Sequence, residues 1–131
     1  MREDTRKHFE RLRGSFLWVT SYGATLQVDE MDTKHVFNCM KMMYNHLAAA
    51  NNLPTFWFNH VYREYEYLAK HRPKKLIEHL LLFVYIIEER GDLPDRYREP
   101  YESIITTLRM IAATTARTLY RELGDIKREE N

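Results

Sequence analysis

The chain has 131 residues, a length typical of one domain built around one hydrophobic core. Hydrophobic residues make up 44% and charged residues 30%, a composition that excludes extended disorder. With 20 basic and 19 acidic residues the formal net charge is +1, so no strong overall field attracts nucleic acid or an anionic membrane.

Cysteine content and hydropathy indicate a cytoplasmic protein. Cys39 is the single cysteine, so an internal disulfide is excluded. The N-terminal residues are mostly charged and lack the apolar core of a signal peptide. The longest apolar run, residues 80–87, is far shorter than the roughly 20 residues that cross a bilayer. We expect one domain over residues 1–131, in the cytoplasm and without membrane contact.

The first thirty residues predict a helix and then a β-hairpin. Residues 1–13 favour a helix, but Phe9 and Leu12 are its apolar residues, so we expect it to dock loosely. Aromatic and β-branched residues at 16–20, and the alternation of Leu26 and Val28 with polar residues, predict a hairpin over residues 15–29. Gly23 can adopt the positive φ of its turn. A lone hairpin is marginally stable, so one face must lie on helices or on a second copy of the chain.

A helical bundle is predicted over residues 32–123. Asp32 or Thr33 can cap a helix that runs to about residue 50, and another helical stripe begins after residue 55. A further helix starts near Pro73 and stops at Gly91. Residues 80–87 are apolar on nearly all sides of that helix, which places them either in the centre of the bundle or in an oligomer interface.

The last predicted helix starts near Pro100 and ends at Gly124, which is placed as a C-terminal cap. The charged tail over residues 125–131 is expected to fray. These elements together predict a mostly α fold, a helical bundle of about four main helices with one N-terminal β-hairpin.

The hairpin and the start of the following helix resemble a pattern in small proteins of bacteriophages and prophages. The residues that carry the resemblance are Trp18, Thr20, Gly23, Leu26, Val28, Met31, His35 and Asn38. In that group a tryptophan and a threonine precede a glycine turn, and a methionine then leads a helix with a histidine and an asparagine three residues apart. The group has no settled activity, so the resemblance implies a viral or prophage origin and no particular chemistry.

Four residues of this pattern could form a binding site. His35 and Asn38 share one helix face, and with Trp18 and Thr20 they could bind a small polar ligand such as a nucleotide base. The alternative is structural. In that case Trp18 fills the core, while His35 and Asn38 hydrogen-bond to the hairpin.

Metal binding and catalysis are weakly indicated. His35, Cys39, Met42 and His46 lie along one helical stripe, and a histidine and a cysteine four residues apart could supply two ligands to zinc or copper. Two ligands do not complete a site. Cys39 on an apolar helix face is expected to be inert. We therefore predict no metal site, no cofactor and no enzymatic activity.

The clearest charged feature is the basic segment at residues 70–75. Lys70, Arg72, Lys74 and Lys75 lie at the predicted start of a helix, where free backbone N–H groups favour anions. This corner could bind phosphate, an RNA backbone or an acidic protein surface. Glutamates among the tyrosines just upstream would repel phosphate, so a solvated loop is favoured over a nucleic-acid site.

Aromatic residues make up 13% of the chain and indicate a partner surface. Residues 56–58 place three rings at consecutive helical positions, so at least one ring, with Trp57 as our candidate, should face outward or toward a partner. The alternative is a wide core that covers all three rings. The apolar run at residues 80–87 favours a homo-oligomer.

Three hypotheses of function follow. The leading one is a small non-catalytic phage-type accessory protein that binds a host protein and inhibits a host or defence function. The first alternative is an oligomeric binder that sequesters a nucleotide-like small molecule through Trp18, His35, Asn38 and the basic segment. The second alternative is a nucleic-acid-binding protein, whose affinity would fall steeply with salt.

Overall fold

The computed structural model describes residues 1–20, 22–56 and 73–127. Over these residues the fold is mostly α with one antiparallel hairpin near the N-terminus, as predicted. The helices are α1 (Glu3–Ser15), α2 (Thr33–Ala50), α3 (Pro73–Arg90), α4 (Arg98–Thr115) and α5 (Arg117–Ile126), and the strands are β1 (Leu17–Val19) and β2 (Thr25–Gln27). Short 3₁₀ turns precede α2 and α4. The helix predicted after residue 55 lies outside the described residues.

The central helix of the fold is α3. It packs against α1, α2, α4 and α5, and its most extensive contact is with α2. Every residue from 80 to 87 is at most 3% exposed. A single copy of the chain therefore covers this apolar run, so the run by itself does not require an oligomer interface.

One face of the hairpin lies on this core. Trp18 and Leu26 are directly opposite each other in the strand register, on the inward face. The Trp18 ring centroid is 6.3 Å from that of Phe83 in α3. Gly23 has a φ of +85°, a conformation that glycine adopts without steric cost, which confirms the predicted glycine turn.

Local capping signals predicted several helix ends correctly. The Asp32 carboxylate accepts a hydrogen bond of 2.8 Å from the backbone N–H of His35 and caps α2. Pro73 is the first residue of α3. Gly91 has a φ of +64° and donates its N–H to the Ile87 carbonyl at 3.0 Å, which ends that helix.

The first helix, expected to dock loosely over residues 1–13, contacts the rest of the fold through Phe9 and Arg13. Phe9 is fully buried and stacks on Tyr85 of α3, with ring centroids 5.7 Å apart. The Arg13 guanidinium donates to carboxylates of Asp29 and Glu89, each at 2.7 Å. These partners lie on other elements, so the apolar pattern of the helix alone could not reveal them.

The single last helix predicted over residues 100–124 is in fact two helices. Ala116 separates α4 from α5 with extended backbone angles of φ −154° and ψ 86°. The break redirects α5, so that its stripe with Leu119 and Leu123 packs against α3 and α4. Gly124 lies inside α5 and not at its cap, because the helix continues to Ile126.

The first residues of the predicted frayed tail are packed. Asp125, Ile126 and Lys127 are all buried. The Lys127 ammonium lies between the carboxylates of Glu88 at 3.2 Å and Glu102 at 2.8 Å, which joins the end of the described chain to α3 and α4. Residues 128–131 lie outside the described residues.

Candidate functional site

Trp18 and Thr20 both have structural surroundings. The Trp18 side chain is only 3% exposed, so its ring has no open face on which a base could stack. The Thr20 hydroxyl accepts hydrogen bonds from the backbone N–H groups of Tyr22 at 3.3 Å and Ala24 at 3.2 Å. Thr20 therefore organises the hairpin turn.

His35 and Asn38 are half-buried on α2. Within the described chain, no hydrogen bond, ion pair or ring contact joins either side chain to Trp18 or Thr20. The four residues are therefore not joined to one another by direct side-chain contacts. Among the described residues of the hairpin, no hydrogen bond to the side chain of His35 or Asn38 is present, although the structural alternative expected such bonds.

The predicted stripe of sulfur and imidazole groups on α2 is largely core. Cys39 and Met42 are buried in the hydrophobic cluster, and burial lowers the pKa of His46 below its usual value. Over residues 1–20, 22–56 and 73–127, no group of three or more His, Cys, Asp or Glu side chains is arranged to hold a metal ion.

Part of the predicted basic segment is visible at the start of α3. Trp57, Lys70 and Arg72 lie outside the described residues. Lys74 and Lys75 are exposed in the first turn of α3. The Lys75 ammonium donates to Glu78 at 2.8 Å, so α3 itself neutralises part of the positive charge at this corner.

A polar cleft lies between α1, the first turns of α3, and α5, and we call it the α1/α3/α5 cleft. Its volume is about 380 Å³, which is within the range of small-molecule sites. The charged side chains that line it are Asp4, His8, Lys74, Glu78, Arg121 and Glu122. Of these, sequence reasoning named only Lys74 as a candidate site residue.

His8 lies between two carboxylates of this cleft. Its Nε2 atom is 3.3 Å from Glu78 Oε2 and 4.0 Å from Glu122 Oε2. Burial raises the pKa of Glu122 above its usual value; His8 opposes this shift and the negative charge of Glu78 adds to it. The cleft therefore holds a carboxylate whose charged form is poorly stabilised by the protein.

One signal in the sequence could have pointed to Glu122. It lies between Leu119 and Leu123, which are both buried in the apolar stripe of α5. A charged residue in such a stripe needs a partner or a functional role. Its neighbour His8 comes from the opposite end of the chain, so no local spacing indicates that they meet.

The outward side of the hairpin is exposed. In the register, Leu17 is opposite Gln27 and Val19 is opposite Thr25, and these residues alternate with the inward pair of Trp18 and Leu26. Leu17 is 47% exposed, and Tyr22 in the turn is 96% exposed. The hairpin surface is defined here by Leu17, Val19, Tyr22, Thr25 and Gln27.

In the described part of the chain, no helix combines the length and apolar character needed to cross a membrane. No protein-family model, no curated protein and no solved structure matches this chain. Among the described residues, the hairpin surface and the α1/α3/α5 cleft are candidate functional surfaces.

Proposed function

We propose that the protein is a small non-catalytic accessory protein of phage type that binds a host protein in the host cytoplasm and inhibits a host or defence function. The phage origin rests on the resemblance carried by the hairpin and the start of α2. A homo-oligomer is part of the proposal, because the edges of a two-stranded hairpin can pair with a second copy of the chain.

The observation that carries this proposal is the hairpin surface. The buried Trp18 holds the strands on the core, while Leu17 and Tyr22 point away from it and are exposed. Tyrosine supplies a large contact area at small entropic cost, and aromatic residues are enriched at protein interfaces. A fixed hairpin with an exposed ring at its turn is therefore suited to binding a protein surface.

The two alternatives have less support. The covered ring of Trp18 removes the stacking group from the nucleotide-binding alternative. For the nucleic-acid alternative, Lys74 shares its cleft with Asp4, Glu78 and Glu122, whose negative charges repel phosphate.

Affinity capture from bacterial host cells tests the hairpin surface. We expect the wild type to retain one host protein in fixed stoichiometry, and we expect Tyr22→Ala to weaken its binding by roughly tenfold or more, because truncation of an interface aromatic removes much of its contact area. Leu17→Ser should weaken binding in the same direction. Tyr120→Ala is the matched control, because Tyr120 is an exposed tyrosine on α5.

Expression of the same variants in host cells connects binding to inhibition. Growth or defence activity should be inhibited by the wild type and by Tyr120→Ala, and restored by Tyr22→Ala. Equal capture by all variants would show that the hairpin surface is not the working surface. Absence of any inhibition by the wild type would contradict the proposed function itself.

A further inference from the structure

We propose that the α1/α3/α5 cleft binds a small zwitterion of the amino-acid class, with the ammonium group at Glu122 and Glu78 and the carboxylate at Arg121 and Lys74. This site is separate from the hairpin surface and does not depend on the host-binding proposal. Three observations support it: a carboxylate that accepts no hydrogen bond from the described residues, the layering of charges in the cleft, and the cleft's size.

Glu122 supplies the first observation. Its side chain is only 10% exposed, and among the described residues its nearest basic atom is His8 Nε2 at 4.0 Å, which is beyond hydrogen-bond distance. Within the part of the chain that the structure describes, no hydrogen bond to this carboxylate is present. Nearly buried carboxylates are normally hydrogen-bonded. Since the described residues provide no such bond to Glu122, its carboxylate is available to a donor that enters the cleft.

The charges of the cleft are layered, which gives the ligand an orientation. The acidic groups Glu122 and Glu78 are the less exposed ones, at 10% and 19% of their side chains. The basic side chains of Lys74 and Arg121 are exposed at the rim. The third carboxylate of the cleft, Asp4, is also at the rim with its side chain 67% exposed, and it is paired with the Arg2 guanidinium at 3.2 Å. An ammonium group therefore fits the inner end, where it can donate to Glu122, and a carboxylate fits the outer end, where a guanidinium can bind it.

Size and chemistry restrict the ligand further. A volume of about 380 Å³ accommodates a small molecule but no folded partner. The described residues hold no cluster arranged for a metal ion, so the inner carboxylates are not explained as metal ligands. Phosphate alone would meet Glu122 and Glu78 at the inner end and be repelled.

Calorimetric titration of the full chain with single compounds tests the site. Glycine, L-glutamate and L-lysine carry both an ammonium and a carboxylate group. Putrescine carries ammonium groups alone, and acetate and inorganic phosphate carry negative charge alone. We expect at least one amino acid to bind and to raise the melting temperature. Putrescine, acetate and phosphate should bind at least roughly tenfold more weakly, because each lacks one of the two charged contacts.

Variants assign the two ends of the ligand. Glu122→Gln keeps the shape but removes one of the two inner negative charges, and it should weaken binding at least roughly tenfold. Arg121→Ala changes an exposed rim residue, so the chain should still fold, and it should weaken binding of the amino acid. Glu99→Gln is the matched control for charge, since Glu99 is exposed in the first turn of α4.

Four results would overturn the proposal. The first is that no amino acid binds the folded wild type, and the second is that putrescine binds as tightly as the amino acids. The third is that phosphate or acetate binds as tightly as the amino acids. The fourth is that Glu122→Gln and Arg121→Ala retain full affinity. The second result would identify a site for organic cations, and the third a site for anions.

Discussion

At the scale of single residues, Asp125 acts as a cap supplied from the far end of the chain. The backbone N–H of Arg2, the N-cap residue of α1, donates to both carboxylate oxygens of Asp125, at 3.0 and 3.3 Å. Burial opposes ionisation of Asp125, but hydrogen bonds from Thr5 and Arg2 outweigh it and lower its pKa below the usual value. This carboxylate therefore joins α5 to the start of α1.

We predict that Asp125→Asn lowers the free energy of unfolding by about 1–2 kcal/mol at neutral pH, because a charged cap is lost. A lowered native pKa gives stability that is fully present above the unfolded value of 3.8 and is lost as the pH falls through the native pKa. Urea unfolding should therefore show the difference from wild type at pH 7 and a smaller difference in acid.

Asp95→Asn is the control for Asp125→Asn, because Asp95 is exposed in the 3₁₀ turn before α4. It should change the unfolding free energy little at either pH. A difference for Asp125→Asn that stays constant down to about pH 3 would contradict the role of its charge.

Gly124 and Gly23 differ in whether their backbone conformation requires a glycine. Gly124 is exposed inside α5 and has space for a Cβ atom, so Gly124→Ala should stabilise the protein by about 0.5–1 kcal/mol through helix propensity. Gly23 has a positive φ, so Gly23→Ala should destabilise it by about 1 kcal/mol or more. Thermal unfolding of the two variants measures whether each substitution raises or lowers the stability. A loss of stability in Gly124→Ala would favour the original assignment of Gly124 as a helix cap.

At the scale of elements, Asn45 fixes the chain that leaves α2. Its amide donates to the Phe56 carbonyl at 2.8 Å and accepts from the Phe56 backbone N–H at 2.7 Å. Asn45 is buried, so this pair of hydrogen bonds replaces the backbone pairing that an irregular segment lacks.

We predict that Asn45→Ala lowers the free energy of unfolding by about 1–3 kcal/mol, because two partly buried backbone groups of Phe56 lose their partners. Native-state hydrogen exchange should show a loss of protection at the Phe56 amide that is larger than the global change. Asn38→Ala on the same helix is the control and should leave the Phe56 amide protected. Unchanged protection in Asn45→Ala would show that the two hydrogen bonds do not hold the segment.

At the scale of the whole molecule, α3 packs against the four other described helices, and Trp18 connects the hairpin to it. Truncation of a buried tryptophan leaves a large cavity, so we predict that Trp18→Ala lowers the free energy of unfolding by about 3–5 kcal/mol. Because β1 pairs with β2 of the same chain, the mass in solution should equal that of the wild type. Chemical unfolding and native mass spectrometry measure the two effects. Pairing of hairpin edges between copies uses backbone groups and does not need the Trp18 ring. Dissociation of a wild-type oligomer by Trp18→Ala would instead indicate strands that are exchanged between subunits.

Much of the fold could be predicted because its signals are local. The stripe of Val36, Met40, Met43 and Leu47 predicted α2, and these residues are all buried. The turn at Gly23 follows from the conformational freedom of a single residue. The candidate site was harder to predict. Trp18 was named for its chemistry, but the same chemistry suits a core position.

By itself, the sequence determined the mostly α architecture, the hairpin and the helix ends at Asp32 and Gly91, because helix periodicity, turns and caps involve residues within a few positions of each other. Tertiary structure alone decided the break at Ala116, the docking of α1 and the meeting of His8 with Glu122. The break at Ala116 lets α5 pack against α3 and α4, whereas the docking of α1 and the meeting of His8 with Glu122 depend on contacts between opposite ends of the chain. Local spacing carries no record of such contacts.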